Sequence, residues 1–170
     1  MMTSRRLAVG ILASLLCIAV VQNAWYWSQL PPKVATHFDA AGQPDRWMSR
    51  PSAVGVMLFF QVGIPLFIVA TARLSAILPE SMINMPHRQY WLAPERRAAT
   101  LNRVAATMDW VAVLVSCLMM SVNHLTFVAN RDGLRLNSGR FIAAIGLFLV
   151  SMLVLVVRML RHFGRGARGC

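Results

Sequence analysis

The sequence predicts an all-α membrane protein: four transmembrane helices, an ordered outer loop and an interfacial inner helix. Three observations carry this. Hydrophobic residues make up 57% of the 170, with a mean hydropathy of +0.56, which is too apolar for an ordinary soluble domain. Four long runs carry no charged side chain. The basic residues lie mostly between those runs, as positive flanks do in membrane proteins. The net charge of +11 alone would also suit nucleic acid, but the apolar runs decide for lipid and against nucleic acid.

The uncharged runs are Leu7 to Leu30, Pro51 to Ala72, Trp110 to Asn130 and Phe141 to Val157. A helix crosses a bilayer with roughly 20 apolar residues, about 17–25 in range, and all four qualify. In lipid every backbone polar group must be satisfied internally, so runs without alternation are helices. The spans are placed at about 7–30, 52–77, 108–130 and 141–160, within one four-helix domain over residues 1–160. The first run follows Arg5 and Arg6, as a signal peptide would. It is long, ends in Ala24-Trp25-Tyr26-Trp27 and has no clear small-x-small cleavage site, so it reads as a retained span. The glycine-rich basic segment 161–170 reads as a disordered tail.

Orientation follows from Lys and Arg. With the N-terminus in the cytoplasm, eleven of the 17 lie on the inside, which favours both termini inside. The outer loop then runs from about Ser28 to Arg50. Pro31-Pro32 stops the first span, Val34 to Phe38 alternates like a strand, and Ala41-Gly42-Gln43-Pro44-Asp45 is a turn. A short hairpin or an extended lid is expected, with Trp47 at headgroup level. On the inner side Pro86 blocks helix, and a new helix starts at Pro94 and Glu95. Leu101, Val104 and Met108 share a face and Arg96, Arg97 and Arg103 form a basic side. This predicts an interfacial helix leading into span three.

Chemistry has few places to reside. Cys17 and Cys117 fall inside apolar runs and Cys170 is terminal, so neither a structural disulfide nor a cysteine metal site is expected. Arg73 at the inner end of span two and Asp109 at the inner end of span three are a candidate structural ion pair. His124 lies near the outer end of span three. Together with His37 and Asp39 it is a candidate set for a divalent metal, provided the loop is a strand that puts residues 37 and 39 on one face. The competing reading has the loop carboxylates capping turns and His37 bonding locally. There is no GxSxG, HExxH or P-loop motif, and no cofactor is expected. An enzyme is the less favoured reading.

Two stretches resemble a known family. Leu30 to Arg50, with His37, Asp39, Gly42, Pro44, Asp45 and Trp47 at fixed spacing, is similar to the signature of a bacterial and archaeal membrane domain of unknown function. Asn84 to Leu101, with Tyr90, Trp91, Pro94, Glu95, Arg96 and Arg97, resembles the segment that follows it in many such proteins. The same domain opens the family of immunity proteins against the sporulation-delaying toxin of Bacillus. The resemblance implies a multi-pass protein of the bacterial cytoplasmic (inner) membrane. Its role would be that of a sensor, immunity factor or accessory subunit acting through the outer loop, with signal transduction at the inner segment. Expected partners are membrane lipid, a membrane protein or peptide, and a second copy of the chain. The alternatives are an outer-face metal-dependent enzyme or metal handler, and an oligomeric transporter or pore.

Overall fold

A computed structural model describes the backbone of residues 2–165 and the side chains of residues 4–164. In chain order the elements are α1 (Met2–Gln29), β1 (Lys33–Phe38), β2 (Pro44–Ser49), α2 (Arg50–Leu74), a 3-10 turn (Glu80–Met82), α3 (Arg88–Trp91), α4 (Pro94–Arg131) and α5 (Ser138–Arg165). The helices α1, α2, α4 and α5 are each long and apolar enough to cross a membrane.

Each boundary has a local cause. Pro31 and Pro32 end the first helix and lead into β1. The hydroxyl of Ser49 accepts from the Ser52 amide at the start of α2, and Pro51 occupies the first turn, where its missing N–H costs nothing. Pro94 opens α4 in the same way, with Glu95 in its first turn and Arg131 in its last, both complementing the helix dipole. Among the described residues Cys17 and Cys117 are free.

One sequence expectation is sharpened and one is corrected. The helix expected from Pro94 does lead into span three, and without a break: residues 94–107 are the first turns of α4, whose 38 residues make a rod of about 57 Å at ~1.5 Å per residue. No glycine or further proline interrupts it, and Arg97 secures its start by donating to the carbonyls of Ala76 (3.2 Å) and Leu78 (2.9 Å) past the end of α2. The basic tail is not irregular from residue 161, because α5 continues to Arg165. Residues 166–170, including Arg168 and Cys170, lie outside the described residues.

The helices α1, α2 and α4 pack together, and α5 lies against α4. One core cluster joins Leu12 of α1 to Ala112 and Val113 of α4, with Ile68 and Val69 of α2 against it. A second gathers Tyr26, Leu30, Val34, Ala53 and Phe127 where the helices meet the hairpin. Tyr26 and Phe127 stack there with centroids 3.7 Å apart. The outward surfaces are apolar: Val21, Phe59, Phe67 and Leu147 are all exposed. Such a surface is stable only against lipid or another apolar partner. The hairpin crowns one end of the bundle, and α3 with the start of α4 occupies the other. We call these the hairpin face and the arginine face.

Candidate functional site: a docked hairpin above a buried amide cluster

The strands β1 and β2 pair antiparallel, from Lys33 opposite Ser49 to Phe38 opposite Pro44, with irregularities around His37. Thr36 on β1 and then Asp45 on β2 are each left without a partner, so the alternation is shifted only around His37, as bulges do. The turn is closed from within. Asp39 accepts the Gln43 amide on its carboxylate (2.8 Å) and the Gly42 amide on its carbonyl (2.9 Å). Gly42 has φ +78°, a region that disfavours side chains, and a Cβ there would sit 2.6 Å from the Leu136 carbonyl oxygen. Its own carbonyl accepts the Leu136 amide at 3.0 Å. The glycine is required because the loop between α4 and α5 lies directly on it.

Asn130 docks the hairpin. Buried near the end of α4, its side-chain amide accepts from the Ala35 N–H (2.7 Å) and donates to the Ala35 carbonyl (2.9 Å). It acts as one residue of a third strand. From the other side Arg50 donates to the carbonyls of Trp27 (3.2 Å) and Leu30 (3.0 Å) and lies over the Trp27 ring. Lys33 lies over Trp47 of β2, which is itself about a third exposed.

His37 pairs through Nδ1 with Asp45 Oδ1 across the hairpin, both side chains well exposed. Asp39 lies beyond the end of β1 in the turn, so it does not share a strand face with His37. His124 points elsewhere and shares a 2.7 Å hydrogen bond with the Tyr26 hydroxyl. The structure therefore does not bring His37, Asp39 and His124 together as a metal-ligand set. Among the described residues no three His, Cys, Asp or Glu side chains form one. The remaining carboxylate of this face, Asp132, is taken by Arg131 at 2.8 Å, and that guanidinium holds it below the usual carboxylate range.

Beneath the hairpin lies a cluster that the sequence reading missed. Asn23 of α1, Gln61 of α2 and Asn123 of α4 are buried, and Gln22 sits beside them. Gln61 Oε1 accepts from Asn23 and from Asn123 (3.3 Å), and Gln61 Nε2 donates to Gln22 Oε1 (3.1 Å). Gln22 in turn donates to the Tyr26 hydroxyl at 3.2 Å. A hydrogen-bonded chain thus runs from His124 at the hairpin end into the middle of the bundle. The signal in the sequence was four amides inside uncharged runs, but only helix rotation shows that they converge.

At the arginine face Asp109 is fully buried. It accepts from Arg73 Nη2 on both oxygens (2.6 and 2.9 Å), while Arg5 approaches to 3.6 Å. The segment Tyr90 to Arg97 is a clasp. Arg96 lies 4.0 Å over the Tyr90 ring and donates to its carbonyl at 2.9 Å. Trp91 donates to the Phe163 carbonyl at 3.0 Å and meets the rings of His162 and Phe163. Pro94 and Glu95 serve the start of α4.

A cleft of about 520 Å³ opens at the hairpin face between β1, α4 and α5. Thr36, His37 and Asp39 form its polar rim, and Val122, Phe141 and Ile142 give it an apolar wall.

Residues 14–62 match the Domain of unknown function (DUF1648), a span that includes the hairpin but not the Asn84 to Leu101 stretch. An uncharacterized protein of Archaeoglobus fulgidus (strain ATCC 49558 / DSM 4304 / JCM 9628 / NBRC 100126 / VC-16) is 26% identical over 112 residues. That alignment covers 63% of this chain and 61% of the relative, so the chain spans less than two thirds of the relative's length. No solved structure matches. The residues that build most of α1, the whole hairpin and the first half of α2 therefore bear the signature of a domain-of-unknown-function family, set in a chain with four membrane-length helices.

Proposed function

We propose that this membrane protein is a non-catalytic receptor subunit, of the sensor, immunity or accessory type, whose hairpin face lies outside the cytoplasmic membrane and receives an amphipathic peptide segment. The cleft beneath the hairpin carries this reading. It joins a rim of His37, Asp39 and Thr36 to a wall of Phe141, Ile142 and Val122. An amphipathic peptide laid along the membrane surface presents that same division of polar and apolar groups.

Two further features support it. The carboxylates of this face are engaged in a turn or in pairs with His37 and Arg131, which suits a shaped surface better than a general acid or base. And α4 borders the cleft through Val122 and Thr126 while its other end meets α3. A rod of that length reaches from one face to the other, a contiguous element of the kind that coupling between them would use.

A photo-crosslinker at position 37, activated in native membranes, tests the reading. A discrete peptide or protein adduct is expected, reduced when Ile142→Trp fills the mouth of the cleft. Ile142 is exposed, so that variant leaves the core intact. Adducts with lipid alone, or adducts indifferent to Ile142→Trp, would overturn it.

A further inference from the structure

The outer edge of β1, away from β2, has one hydrogen-bonding position that is filled and one that is open. In an antiparallel ladder the N–H and C=O of a residue point the same way, either towards the partner strand or away from it. At Ala35 both point away from β2, because the Asn130 side chain of α4 takes both. Towards the turn, the Asp39 N–H donates to the Gln43 carbonyl at 2.8 Å, so residues 39 and 43 form a bonded pair. Phe38 and Pro44, opposite one another beside them, are then a non-bonded pair, and Pro44 has no N–H to give. The N–H and C=O of Phe38 therefore face the same outer edge as those of Ala35. The irregularities around His37 make residue 38, and not 37, the next outward position.

The surroundings of the two positions differ. Ala35 is fully buried beside Asn130. Phe38 is half-buried and lines the cleft of about 520 Å³ whose apolar wall is Val122, Phe141 and Ile142. Among the described residues no backbone group of a loop or helix bonds to Phe38. The loop between α4 and α5 returns to the hairpin only past it, where the Leu136 amide meets the Gly42 carbonyl. The open stretch of edge is thus bracketed by a side chain that imitates a strand and by a loop. An uncovered strand edge is a template for a further strand. The side chains of such a strand would point alternately to the apolar wall and to the polar rim of Thr36 and His37.

We propose that the amphipathic peptide segment binds as an added β-strand. Its main chain pairs with the N–H and C=O of Phe38 as Asn130 pairs with those of Ala35, and its apolar side chains rest on Val122, Phe141 and Ile142. This rests on the peptide-cleft reading and specifies how the peptide is recognised: main-chain bonds hold it, and alternate side chains select its sequence.

The probe is a dye-labelled heptapeptide of alternating Thr and Val, followed by fluorescence anisotropy with the full chain in phosphatidylcholine nanodiscs and corrected for empty nanodiscs. Saturable binding is expected. Successive N–H groups of an extended chain point to opposite edges, so the Val amides all face one way and the Thr amides the other. N-methylation of one set should weaken binding by roughly tenfold or more, while N-methylation of the other set should change it by less than about twofold. Hydrogen exchange at the Phe38 amide should slow several-fold in the complex, and that at Ala35, already bonded, should stay as it was. Equal loss in both methylated peptides marks a helical ligand, equal retention marks docking by side chains alone, and either overturns the proposal. So does an unprotected Phe38 amide, or no saturable binding at all. Protection of Phe38 in the peptide-free protein that falls on dilution in detergent would give the edge to a second copy and overturn it likewise. The crosslink at position 37 asks nothing of the peptide's conformation, so it judges the cleft reading separately.

Discussion

At the residue scale, the polar side chains inside the bundle carry the sharpest consequences. Asp109 is fully buried, and its charge is tolerated because Arg73 binds both oxygens and Arg5 stands near. Asp109→Asn should therefore destabilise by about 2–3 kcal/mol, below the fullest cost of breaking a buried pair because the Arg73 side chain is a third exposed. Thermal unfolding in detergent measures this. The double variant Arg73→Met/Asp109→Leu should recover most of the loss, since no unpaired charge is left behind. The amide cluster behaves by the same logic without charge. Gln61→Leu takes the shared acceptor from Asn23 and Asn123 and a donor from Gln22, for a cost of about 1–2 kcal/mol. Replacing Asn23, Gln61 and Asn123 together by Leu should cost less than the sum of the three single changes, as unfolding midpoints will show.

At the scale of the elements, the hairpin and α4 work as one piece. A two-stranded sheet is marginal by itself in water, and here Asn130 and the Gly42–Leu136 contact supply what the pair of strands lacks. Asn130→Leu leaves the Ala35 N–H and carbonyl, both buried, without their partner. We expect local hairpin stability to fall by about 1–3 kcal/mol. Hydrogen exchange at Ala35 should accelerate in proportion, while the amides of α1 and the middle of α4 keep their protection. Faster exchange across the whole bundle would show instead that the hairpin is part of the global core.

At the scale of the whole molecule, the main question is which way the bundle faces. The excess of Arg at one end favours that end inside. Lys33 is the sole lysine of the chain and lies exposed on β1. A membrane-impermeant amine reagent should therefore label intact cells at residue 33, with the signal lost in Lys33→Arg. Labelling that appears only after the membrane is opened would invert the topology. The proposed peptide cleft would then face the cytoplasm.

The sequence by itself determined the frame. Charge-free runs of bridging length can only be helices in lipid, and Pro31-Pro32 and Pro94 mark where one of those helices stops and another starts. Arg73 and Asp109 could be paired on paper because each sits at the same end of its span. Other features depend on rotation about a helix axis, which an apolar run without polar periodicity does not encode. The convergence of Gln22, Asn23, Gln61 and Asn123 is one, and the turning of His124 to Tyr26, away from His37, is another. The continuity of α4 through Arg103 was hidden for a different reason: the charges there resemble a membrane flank, and only packing against α3 and the end of α2 shows an unbroken rod. Tertiary structure alone assigned Asn130 its role as hairpin anchor, because a side chain that imitates a strand is recognised only when the strand is beside it.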